Sequence, residues 1–150
     1  QIANGLPGIE MRLPLLFSEG FIKGRITLNH FVALAAGNVS KIYGLDHCKG
    51  SITEGLDADI AIWDPEVARE VKATDMHDNM EFTPYEGMHV TGWPTVVIQR
   101  GQVVIEENEL KVERGAGKFV PRNTIDCTGM PGKLAPELNP QLNFGVDLGL

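Results

Sequence analysis

Residues 4–17 read Asn4-Gly5-Leu6-Pro7-Gly8-Ile9-Glu10-Met11-Arg12-Leu13-Pro14-Leu15-Leu16-Phe17, and their reading decides the fold. A Gly-x-Pro-Gly loop ahead of an apolar helix start presents backbone groups to a ligand in α/β proteins, because Gly reaches conformations closed to other residues and Pro stiffens the path. Pro14 suits the first turn of a helix, and Leu13, Leu16 and Phe17 share one of its faces. Gly20 and Gly24 are expected to end that helix. Thr27 then suits the N-cap of a second one, in which Leu28, Phe31, Val32, Ala35, Ala36 and Val39 recur at three- and four-residue spacing and run in phase to Ile42 and Tyr43. Gly37-Asn38 is expected to break it in two.

From Lys49 the pattern becomes extended. Ile60-Ala61-Ile62-Trp63 reads as a buried strand closed by Asp64-Pro65, since Pro has no amide hydrogen for a ladder. Residues 69–73 read as a more exposed strand and residues 75–92 as a long loop, of the kind that is functional or packed against another element. Val96 to Arg100 and Val103 to Glu106 flank Gly101-Gln102, a Gly-first pair that predicts a type II′ hairpin. A third strand over 110–113 should follow a turn at Glu107-Asn108. Beyond Asn123, prolines and glycines punctuate a stretch without period, whose Leu134, Leu138, Leu142, Phe144, Val146 and Leu148 suit an arm lying on a neighbouring subunit.

The 150 residues carry a net charge of -7, which argues against a phosphate-backbone partner and so against nucleic acid. Cys48 and Cys127 have no paired spacing, so neither a disulfide framework nor a zinc knuckle is indicated, and a reducing cytosol fits. No apolar run approaches the roughly 18 residues of a membrane span. His30, His47, His77 and His89 include no His-x-His pair and no spacing that brings two onto one metal, so no metal ligand and no catalytic base are assigned. Asp57 and Asp59 lack the further oxygen ligands of a calcium loop and read as a structural turn. Gly115-Ala116-Gly117-Lys118 lacks the phosphate-loop spacing and reads as a turn into the arm.

The opening stretch, with Lys41-Ile42-Tyr43-Gly44-Leu45, Lys49-Gly50-Ser51-Ile52, Gly55, Asp57, Ala58, Asp59, Pro84-Tyr85-Glu86-Gly87-Met88 and residues 115–122, resembles the C-terminal third of the dihydropyrimidinase and D-hydantoinase family of cyclic amidohydrolases. The resemblance covers residues 1–122. It implies an α/β parent, a TIM barrel plus β-sandwich, with residues 1–48 the last barrel loop and helices, 49–73 sandwich strands, 74–94 a loop region, 95–122 the sandwich hairpin and following strand, and 123–150 a C-terminal arm. It also implies ring opening of a dihydropyrimidine or 5-substituted hydantoin to an N-carbamoyl amino acid, by a cytoplasmic tetramer whose subunits meet through the arm.

Such hydrolysis uses two divalent metals, zinc, to activate water and polarise the carbonyl. The family's metal ligands precede the point where this sequence begins, so this stretch alone is expected to bind no metal and be inactive. Asn4 matches the family asparagine whose backbone holds the amide of the substrate ring, and Asn-Gly equally initiates a turn. Two other readings stay open: a non-catalytic dihydropyrimidinase-like protein-interaction scaffold, and an independent β-rich interaction domain.

Overall fold

The computed structural model describes residues 5–124. Helix α1, Arg12–Leu15, begins with buried Pro14 in its first turn and continues as a wider π winding over Leu16–Ile22. Gly20 lies inside this helix rather than ending it; the left-handed Gly24 (φ 68°) follows its last turn. Thr27 caps the next helix as expected, accepting the His30 backbone N–H at 3.2 Å. α2, Leu28–Val32, passes through a π segment, Ala33–Gly37, into α3, Asn38–Ile42. Gly37 and Asn38 both keep right-handed helical angles, so the predicted break is a change of winding only.

Four strands form one antiparallel sheet in the order β1-β2-β3-β4: Ile60–Glu70, His89–Gln99, Gln102–Glu106 and Glu109–Leu110. β1 does not stop at Asp64-Pro65. It runs on through an irregularity between Asp64 and Ala68 where the register shifts, so the amide that Pro65 lacks is not needed there, and β1 is an edge strand. The Asp64 side chain accepts the Glu66 N–H at 2.9 Å across this stretch. β1 therefore takes in Arg69 and Glu70, read from sequence as part of a separate strand. Nor is its first half buried, since Ala61 and Ile62 are exposed. The long loop ends at Met88, four residues early, because β2 pairs with β1 from His89 onward.

The hairpin is shifted by one residue from its expected place. Gln99 pairs with Gln102, leaving Arg100 (φ 49°) and Gly101 (φ 78°) as a two-residue turn with both angles positive, which is type I′. Glu107 (φ 49°) and Asn108 (φ 66°) make a second such turn at the predicted position, and the third strand after it is short, Glu109–Leu110, with the Lys111 N–H still reaching Val104.

The helices pack on this sheet around two joined clusters. Met11, Val71, Val90 and Trp93 form one buried core, with Leu15, Met76, Tyr85 and Met88 against it. Phe17, Phe31 and Trp63 form the other: Phe17 stacks on Trp63 at 4.7 Å between centroids and meets Phe31 edge-on at 5.2 Å. Buried Ser18 accepts the Thr91 N–H at 3.0 Å, bonding the first helix to β2 where the ladder is irregular.

Candidate functional site

Loop 5–9 forms one wall of an open cleft of about 570 Å³, whose other wall is Asp78, Met80 and Phe82. Asn4, the one residue assigned to substrate, lies outside the described residues. The loop does not exploit glycine as expected. Gly5 and Gly8 lie outside the left-handed region; a Cβ on Gly5 would meet nothing within 4 Å, and one on Gly8 would make ordinary contact with the Tyr85 ring, 3.6 Å from its hydroxyl. Tyr85, from the Pro84-Tyr85-Glu86-Gly87 motif, thus backs the loop.

Glu10 ends the loop and binds His77 twice. Its carboxylate accepts the His77 backbone N–H at 2.8 Å and the Nδ1–H at 2.8 Å, while Nε2–H donates to the Asn108 carbonyl at 3.0 Å. Both ring nitrogens face acceptors, so the two ring bonds are made together only by the doubly protonated, positively charged ring. The hydrogen bond to Glu10 raises the His77 pKa above its ordinary value; burial opposes that, and the Asn108 carbonyl adds to it.

The linkage has a definite sign. A raised folded pKa stabilises the chain in full below the ordinary value of 6.5, and that contribution is lost as pH rises through the folded value. Wild-type melting temperature should therefore fall more than that of Glu10→Gln as pH rises above 6.5, in melts across a pH series. Parallel curves would contradict the charge on His77.

None of the four histidines joins another at a metal. His30 and His89 are exposed, and His47 faces the Asn123 amide at 3.1 Å. Among the described residues no group of three or more His, Cys, Asp or Glu side chains is placed to hold a metal ion. The donor set here does not fit a two-metal centre. Asp57 and Asp59 instead hold Lys49, Asp57 at 2.7 Å, and Asp59 also accepts the Arg100 N–H at 2.8 Å, pinning the hairpin turn to the entry of β1. Burial works against the charge of both Lys49 and Asp59, yet their mutual bond and those from Asp57 and Arg100 outweigh it, raising Lys49 and lowering Asp59. The glycine pair near Lys118 is a turn, its Ala116 carbonyl accepting Arg100 Nη2 at 2.9 Å.

The Amidohydrolase family model matches residues 10–104. The chain belongs to the amidohydrolase family. This amidohydrolase chain is 44% identical over 122 residues to a D-hydantoinase of Geobacillus stearothermophilus, covering 81% of the chain and 26% of that relative. It is 39% identical over 149 residues to a dihydropyrimidinase of Rattus norvegicus, covering 91% of the chain and 29% of that relative. A solved D-hydantoinase from a Bacillus species superposes with a TM-score of 0.80 at 40% identity, over 83% of the chain and 27% of that structure. The chain thus spans little more than a quarter of the proteins it matches, and the resemblance read from its motifs is borne out.

The Glu10–His77–Asn108 relay was missed by sequence reasoning. Its members are 67 and 31 residues apart, and no spacing rule joins them. The turn expected at Glu107-Asn108 was the one part of it that the sequence placed.

Proposed function

We propose that this chain is part of a metal-dependent cyclic amidohydrolase that opens dihydropyrimidine or 5-substituted hydantoin rings to N-carbamoyl amino acids. The observation that carries the reading is the 41 to 44% identity to three proteins named D-hydantoinase, each over 81% of the chain. The chain's part is to place loop 5–9, with Asn4 before it, where backbone amide and carbonyl groups hold the ring, at the loop end of a TIM barrel. The Tyr85 ring behind Gly8 and the bonds from Glu10 to His77 keep that loop in place. Zinc is the proposed metal and supplies an activated water when bound; its ligands belong to no described residue here, and no step is assigned to this chain's side chains.

Residues 1–48 would then end the barrel, 49–73 and 89–122 would belong to a β-sandwich, with 74–88 connecting them because β2 begins at His89, and the 123–150 arm would join subunits of a cytoplasmic tetramer. The scaffold reading has weaker support, since the human dihydropyrimidinase-related protein 5 is 36% identical over 128 residues. The test is hydrolysis of dihydrouracil and hydantoin in zinc. The isolated 150-residue chain should show none above a buffer blank, and the full-length protein should form N-carbamoyl products in a reaction stopped by chelation. A folded, metal-loaded full-length protein that opens neither ring would favour the scaffold.

A further inference from the structure

Loop 5–9 has few contacts of its own to hold it. Leu6 and Ile9 are 70% and 83% exposed, and space is open around Gly5. What anchors its end is Glu10, and behind Glu10 a line of polar contacts leads to the core. His77 bridges from the Glu10 carboxylate to the Asn108 carbonyl. Asn108 is itself fixed, with its side-chain amide donating to the Asp75 carbonyl at 3.2 Å and its side-chain oxygen accepting from Arg69 at 3.1 Å. The Arg69 guanidinium lies over the buried Trp93 ring, 4.5 Å from its centre.

We infer that His77 is a positioning residue for loop 5–9, tying Glu10 to the turn between β3 and β4 and so fixing where the loop offers its backbone to a cyclic amide. The inference rests on the ring-binding role proposed above for that loop. Two acceptors demand two ring protons, so the tie opens on the alkaline side, when one nitrogen turns a lone pair toward its partner. The charged groups around the ring agree with this. Glu10 from the loop favours the cation; Arg69 from β1 opposes it and is itself paired with Asp75, at 3.8 Å, from the turn Ala73–Asp75. Asp78, beside His77 in sequence, is engaged by the Met80 N–H at 3.0 Å, and Glu109, beside Asn108, by Lys111 at 2.7 Å.

The experiment compares the full-length enzyme with its Glu10→Gln and His77→Gln variants, reading kcat/KM against pH, metal content, and deuterium exchange at the His77 amide that Glu10 accepts. Glu10→Gln should move the alkaline fall of kcat/KM to lower pH. His77→Gln should lower kcat/KM on the order of a hundredfold with metal content unchanged, the scale of loss expected from a misplaced ring. Both should speed exchange at His77 while β2 and β3 stay protected as in wild type. A purely structural role predicts weakened protection throughout and a pH profile of unchanged shape. An unshifted profile, or unchanged exchange at His77, overturns the inference. Exchange needs no turnover, so it decides whether the tie exists even where absent ring opening has sunk the functional reading.

Discussion

Gly92→Ala is expected to destabilise the chain by about 3 to 5 kcal/mol, lowering its melting temperature by roughly 10 °C. Gly92 is buried in β2 with φ +88°, and a Cβ built there would sit 2.2 Å from the Phe17 ring. The left-handed backbone alone costs an L-residue about 1 to 2 kcal/mol. The rest of the loss comes from the ring, which cannot retreat because Trp63 is stacked on it and Phe31 meets it edge-on. Thermal or urea unfolding of the purified variant measures the loss. A change under 1 kcal/mol would mean that helix and sheet do not meet at Gly92.

Phe17→Ala should cost a similar amount, about 3 to 5 kcal/mol, as a buried aromatic truncated in a packed cluster. The informative measurement is the double variant. With the Phe17 ring gone, the Cβ at residue 92 has space, and Gly92→Ala should cost only the backbone part, about 1 to 2 kcal/mol. If Gly92→Ala costs the same in both backgrounds, the clash is not with Phe17. The stability of this contact matters for function because the helix carrying Phe17 follows directly from Glu10 and loop 5–9.

What could be read in advance followed the range of the forces involved. The Thr27 cap and the Glu107-Asn108 turn depend on neighbours within a few residues, and the sequence shows those. Of the apolar series from Leu28 to Tyr43, by contrast, Phe31 is buried and Leu28, Val32, Ile42 and Tyr43 are exposed, since what covers a helix face is a tertiary fact. The continuation of β1 through Pro65 is not local either, because an edge strand tolerates a missing amide where its ladder is irregular, and edge position is a tertiary fact. Likewise the turn at Arg100-Gly101 sits one residue before the place that a Gly-first rule predicts. The Asp59 carboxylate bonds the Arg100 N–H and the Ala58 carbonyl bonds the Gly101 N–H, contacts from 41 and 43 residues away that help fix Arg100 in a positive-φ conformation. At the candidate site, loop 5–9 was legible as a loop, but its glycines were given the wrong reason. They are not in conformations that demand glycine, and the loop's end is held instead by Glu10 and His77, which only the fold brings together.

In the proposed function this chain supplies the loop-bearing part of a cyclic amidohydrolase, and the metal chemistry falls to residues outside it. The most direct test of that claim is a chimera in which residues 1–122 replace the matching segment of the Geobacillus stearothermophilus D-hydantoinase, to which the chain is 44% identical. The chimera should bind its metals as the parent does and open hydantoin within about tenfold of the parent kcat/KM, since each misplaced contact of ordinary size costs about 1 kcal/mol. A chimera that folds and holds its metals yet opens no ring would contradict the claim.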